Sequence, residues 1–196
     1  TLLCDSNLAA LTNNSKSSGD ATIVVSDNTD PAFIRPSGVG TSIKLDVTAA
    51  GTGFTIWNLD WTINTSLVNI GRFGFAYYFS PSVLTNWGLT VMLSEASNFA
   101  NRYNYSPFTV APNAARQGWN TVVLDRATPS STTGSPNIAN TFTRVRVQLQ
   151  VPAGVTGTVY LCPIYTNMYN RPKIVFSYDD QDASQYTNGY QVLDTY

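Results

Sequence analysis

The chain is 196 residues long, 43% apolar and only 12% charged, with a formal net charge of −1 and no histidine. That length and apolar content fill one hydrophobic core with little left for a second, and the lack of any basic block excludes nucleic acid and anionic membrane as electrostatic partners. Without histidine the chain cannot assemble a Ser-His-Asp or Cys-His centre or a histidine-based metal site from its own residues, and no apolar run approaches the roughly 20 residues of a spanning helix, so no membrane partner is expected.

Residues 1–20 read as an entry segment, apolar at Leu8-Ala9-Ala10-Leu11 and closing in a loop of Asn, Ser and Gly. A first strand is predicted at Ala21–Val25, and Asn28, Asp30, Pro31 and Pro36 punctuate the turn after it. From Thr41 the pattern is two-periodic: Ile43, Leu45 and Val47 alternate with Lys44, Asp46 and Thr48, the signature of a half-buried strand. After Gly51-Thr52-Gly53, Trp57, Leu59, Trp61 and Ile63 share one face of the next strand, and Phe73, Phe75, Tyr77 and Phe79 share one face of another. Leu89, Val91 and Leu93 mark a further strand; residues 101–106, polar and aromatic by turns, suggest an exposed one. Gly118–Leu124 opens the next, and 130–136 is a loop of Ser, Thr, Gly and Pro. The clearest alternation runs from Thr143 to Val151, with Val145, Val147, Leu149 and Val151 opposite Arg144, Arg146, Gln148 and Gln150. The last strand is predicted at Thr158–Ile164. About nine strands joined by Gly, Asn and Pro turns, with no helical period before residue 183, argue for a two-sheet antiparallel sandwich.

Over residues 20–165 the order of features resembles the jelly-roll carbohydrate-binding modules. The resemblance is carried by Ser42-x-Lys44-Leu45-x-Val47, Phe73-x-Phe75-x-Tyr77-Tyr78, Gly118-Trp119-Asn120-Thr121-Val122 and Val159-Tyr160-Leu161. A sugar lays its C–H face on an aromatic plane while its hydroxyls meet amides, carboxylates or guanidinium groups, so exposed rings near such groups are the candidates. Trp87, Tyr103 and Tyr105, with Arg102 and Asn104 beside them, fit that description. Trp57, Trp61 and Trp119 fall on strand faces assigned to the core, and the Arg144/Arg146 row reads as a solvated sheet face or a contact between subunits. Cys4 and Cys162 form a disulfide if compartment and geometry allow; two cysteines in a Cys-poor chain are more often free and buried.

A different pattern begins at Lys173. Three apolar residues, Ile174-Val175-Phe176, lead into Ser177-Tyr178-Asp179-Asp180-Gln181-Asp182, and Asn188-Gly189-Tyr190-Gln191-Val192-Leu193 follows. This stretch resembles the first motif and first helix of the polysaccharide deacetylases of the NodB type, in which a strand ends in Thr-Phe-Asp-Asp-Gly. Ser177, Tyr178 and Gln181 stand where that family has Thr, Phe and Gly, and Gln lacks the backbone freedom of that Gly. The resemblance implies Asp179 as the base that activates water, Asp180 as a ligand to a divalent metal, zinc above all, and two further histidine ligands from a later segment. It implies an acetylated cell-surface polysaccharide as substrate. The plain alternative is a strand end carrying solvated charges.

The fold expected is therefore all-β: a two-sheet antiparallel jelly-roll sandwich at 1–165, a linker at 166–172, and at 173–196 the first strand and helix of an incomplete α/β barrel of the NodB type. The chain opens on Thr1 and stops in that helix, so it is expected to be a piece of a longer protein and inactive alone for want of the metal-binding histidines. The functional expectation is a glycan-recognition module attached to a metal-dependent polysaccharide deacetylase. The alternative is a non-catalytic glycan-binding or oligomerising module of a phage tail spike or secreted protein. Either is extracellular or on a virion, and a tail spike would be a homo-oligomer, in particular a trimer.

Overall fold

The computed structural model describes residues 2–34, 40–80, 86–108 and 117–167. The deacetylase-like stretch at 173–196, with Asp179 and Asp180, lies outside the described residues. Within them the chain is built from β-strands: β1 (Leu2–Cys4), β2 (Leu11–Ser18), β3 (Thr22–Asn28), β4 (Ser42–Ala49), β5 (Thr55–Ser66), β6 (Arg72–Phe79), β7 (Gly88–Ser94), β8 (Arg102–Phe108), β9 (Gly118–Asp125), β10 (Ser131–Thr133), β11 (Thr141–Val151), β12 (Gly157–Leu161) and β13 (Ile164–Thr166). Short 3-10 turns occupy Leu8–Ala10 and Pro31–Phe33. No helix among the described residues is long and apolar enough to cross a membrane.

The strands form two sheets. One runs β10-β8-β7-β11-β5-β2; the other runs β1-β13-β6-β12-β4-β3, with β9 on the far edge of β6. Each pairing is antiparallel. The seven-stranded sheet contains one interrupted strand: β12 pairs with β6 through Val159↔Phe79 and Tyr160↔Tyr78, and β13 pairs with it through Tyr165↔Gly74. Sequence pattern joins the two halves as one strand to Ile164; the ladder breaks at Cys162-Pro163 because proline cannot donate to it.

The period-two alternation becomes the core directly. Val145, Val147, Leu149 and Val151 of β11, with Leu59, Trp61 and Ile63 of β5 and Leu89, Val91 and Leu93 of β7, face Ile43, Leu45, Val47, Phe73, Phe75, Phe79, Val159 and Leu161 of the other sheet, and all are buried. Each such side chain contributes about 1.5–3 kcal/mol by leaving water. Aromatic pairs stitch the layers: Phe73 meets Tyr105 edge-to-face at 5.0 Å, and Phe79 meets Trp87 at 4.7 Å.

The entry segment differs from expectation, since residues 11–18 are β2, an edge strand on β5. A strand made of Thr, Asn, Ser and Lys carries no hydrophobic alternation to reveal it, and polar composition is what a sheet edge needs to resist further pairing. Two indole N–H groups fasten this segment: Trp57 donates to the Asn14 side chain and Trp61 to the Asp5 carbonyl, each at 2.7 Å. The predicted loop at 130–136 likewise contains β10, paired with β8. Cys4 and Cys162 are free thiols in the interior, and burial pushes the Cys4 thiol far above the ordinary cysteine range.

Candidate functional site

The residues singled out on β8 are divided by the pleat. Val91↔Tyr105 and Leu93↔Tyr103 lie on the core side, so Arg102, Asn104 and Ser106 take the outward side of the six-stranded sheet. The register there builds one row across all six strands: Asn13, Asp60, Arg146, Met92, Asn104 and Ser131. A second row holds Ser15, Asn58, Gln148 and Thr90, with Ser106 beyond, its hydroxyl 3.3 Å from that of Thr90.

These side chains bind one another. Arg146 donates to both carboxylate oxygens of Asp60, at 2.6 and 2.8 Å, and Asn13 donates to the same carboxylate at 3.1 Å. Gln148 donates to Asn58 at 2.9 Å and Asn104 to the Ser131 hydroxyl at 3.1 Å. Arg102 donates through Nε to Asn104 at 2.9 Å and through Nη1 to the Phe99 carbonyl at 2.6 Å. Phe99 itself, only 3% exposed and with φ of 58°, is folded back so that its ring lies 4.1 Å from the Arg146 guanidinium. A left-handed backbone at a bulky residue is costly, and here ring burial and the cation–π contact offset it.

The aromatic candidates are corrected by the structure. Trp87 and Tyr105 are each 1% exposed, packed on Phe79 and Phe73, and have no open ring face for a sugar. Tyr105 spends its hydroxyl on the Arg126 carbonyl at 3.0 Å. Tyr103 is half-buried, stacks on Phe142 at 5.8 Å and donates to the Pro136 carbonyl. Trp87 also stands at the opposite end of β7 from the Ser94↔Arg102 pair. The structure thus groups Arg102 and Asn104 with residues not singled out by sequence, namely Asn58, Asp60 and Gln148. Their signal was present in the pleat: each alternates with a core residue of β5 or β11. Arg144 and Arg146 do line an outward sheet face, but Arg146 is engaged by Asp60.

Asn58, Asp60 and Asn104 are buried (5%, 5% and 9% exposed), so the groups this face can offer a hydroxylated ligand are those they hold in place, the partly exposed Arg102, Arg146 and Gln148, with Ser106. Among the described residues no group of three or more Cys, Asp or Glu is placed to hold a metal ion.

The architecture is that of a β-sandwich of the jelly-roll kind found in carbohydrate-binding modules. The backbone is similar to the family 11 carbohydrate-binding module from Clostridium thermocellum, solved in complex with a β-1,3-1,4-mixed-linked tetrasaccharide, with a TM-score of 0.51 at 11% identity over 84% of this chain and 94% of that one. It is similar also to a structure from work on the promiscuous specificity of carbohydrate-binding modules of the β-sandwich superfamily, with a TM-score of 0.51 at 15% identity over 86% of this chain and 62% of that one. At such identities the likeness establishes the fold. No protein-family model matches the sequence, and no curated protein matches it.

Proposed function

We propose that the sandwich is a glycan-recognition module whose ligand lies along the outward face of the six-stranded sheet. The observation that carries this reading is the pair of cross-strand rows in which the buried Asn104, Asp60 and Asn58 fix the partly exposed Arg102, Arg146 and Gln148. Side chains already locked by mutual hydrogen bonds lose little conformational freedom when a ligand's hydroxyls join the network, so more of the interaction energy appears as affinity. The saccharide complex of a module with this fold supports the same reading.

The Lys173–Asp182 stretch supports a further reading, attachment to a metal-dependent deacetylase acting on an acetylated cell-surface polysaccharide, on a virion or outside the cell. Asp179 would take the proton of water and Asp180 would help to hold the metal. This chain has no histidine, so on that reading the histidine ligands would come from outside these 196 residues.

Retention of the 196-residue chain on an array of immobilised polysaccharides tests the module. Binding is expected for wild type and reduced in Gln148→Ala and Arg102→Ala; retention of no glycan ends the proposal. Acetate release by a longer form carrying the later segment, compared with its Asp179→Asn variant, tests the enzyme separately, and equal release from both removes Asp179 from the mechanism.

A further inference from the structure

Sequence pattern assigns Trp119 to the core, yet the structure sets it half-buried on the outward face of the seven-stranded sheet. Its neighbours form one row: Trp119↔Tyr78, Tyr78↔Tyr160 and Tyr160↔Lys44, crossing β9, β6, β12 and β4. Tyr78 stands edge-on to both neighbours, 5.5 Å and 76° from Trp119 and 6.1 Å and 71° from Tyr160 between ring centroids and planes. Phe33, from the 3-10 turn Pro31–Phe33, joins them by stacking on Tyr160 at 4.2 Å and 7° and meeting Tyr78 edge-on at 4.9 Å. The turn that presents Phe33 is fastened by the Asp30 side chain, which accepts from Ala32 N–H at 2.9 Å. All four rings are half-buried.

The end of the row is polar. Lys44 and Asp46 pair at 3.2 Å with about a third of each side chain exposed (32% and 35%), and the Thr158 hydroxyl donates to Asp46 at 2.7 Å. That hydroxyl first, and the Lys44 ammonium second, hold the Asp46 carboxyl below the ordinary aspartate range, so it is an acceptor at neutral pH. The pair sums to zero charge while offering one donor and one acceptor.

We propose that this aromatic row is a second ligand surface, independent of the polar face on the other sheet, and that it takes a neutral polysaccharide. One pyranose lays its C–H face on Trp119 and another on the Phe33/Tyr160 stack, with Tyr78 edge-on between them, and adjacent hydroxyls meet Lys44 and Asp46 at the end of the row. Trp119 and Tyr160 are separated by two strand spacings, about 9.6 Å, with β6 between them, and ring stacking supplies what the polar face lacks, since the Phe99 ring there is covered. Balanced charge at Lys44 and Asp46 favours an uncharged sugar over a uronate or a sulfated chain. The proposal rests on the reading of the module as a glycan binder and adds a second face to it.

The test is the affinity of the 196-residue chain for immobilised neutral polysaccharides, with charged ones as comparison. Trp119→Ala and Tyr160→Ala are each expected to weaken binding roughly tenfold, and Lys44→Ala, an outward residue whose loss spares the core, to weaken it severalfold. Wild-type affinity in both Trp119→Ala and Lys44→Ala, with loss confined to Gln148→Ala, overturns the second surface and leaves the first standing. Retention of no neutral or charged polysaccharide overturns both. If Trp119→Ala leaves retention unchanged and dissociates an oligomer in sedimentation, the row is an interface between copies and the proposal falls.

Discussion

Arg146 closes on Asp60 through two parallel N–H···O contacts, 2.6 and 2.8 Å, although the two residues are far apart in the chain. Only the register between β11 and β5 brings them opposite one another. The Asp60 side chain is 8% exposed and that of Arg146 21%, so the pair sits where loss of one partner leaves the other poorly solvated.

Asp60→Ala is accordingly expected to cost about 2–4 kcal/mol of unfolding free energy, more than a solvated surface pair is worth. Urea denaturation checks this. The double variant Asp60→Leu with Arg146→Met should recover most of the loss, because it strands no charge. A single-variant cost below about 0.5 kcal/mol would mean that water reaches the pair freely.

Trp87 offers a second test. Truncation to Ala removes a fully buried indole from the contact with Phe79 and should destabilise by about 3–5 kcal/mol. Trp87→Phe, which keeps most of the volume, should retain glycan affinity within twofold (about 0.4 kcal/mol). Loss of affinity in the well-folded Phe variant would return Trp87 to the binding site.

Stability at alkaline pH should fall earlier than carboxylate or lysine chemistry predicts. Burial pushes the Tyr77 hydroxyl up to about 12 and raises Tyr105 further, whereas an unfolded tyrosine ionises near 10. A group raised in the folded state contributes its full stability below the unfolded value and loses it as pH climbs through the folded one. Unfolding is therefore expected to set in between about pH 10 and 12, with tyrosinate absorbance rising together with loss of near-ultraviolet ellipticity. Tyr77→Phe should flatten the dependence; an unchanged profile would show that other groups control it.

Gly74 lies where β6 and β9 approach. A Cβ there would meet the Val122 carbonyl oxygen at 2.1 Å, while one at Gly71 would meet nothing within 4 Å. Gly74→Ala should cost about 2 kcal/mol or more and Gly71→Ala almost nothing. Thermal melts of the two variants side by side decide it.

Where apolar residues alternate, as in Thr141–Val151 and Ser42–Ala49, the strand and its buried face were legible in the sequence, because a sheet with one wet side imposes a two-residue period. β2 and β10 were not legible, being short or polar edges whose pairing depends on β5 and β8. The site shows the same division. The run from Arg102 to Ser106 shows that both tyrosines share one face and Arg102 and Asn104 the other, but either face could have been inward. Trp119 was open to the same ambiguity.

Composition and period by themselves thus determined an all-β sandwich with a single core, and ruled out histidine chemistry within the chain. Only the tertiary structure decided that Trp87 and Tyr105 are core, that Asp60 partners Arg146, and that Trp119, Tyr78 and Tyr160 stand in one outward row. The reason is physical: alternation specifies which residues share a face, while register and sheet packing specify which face is covered and which distant residues it meets.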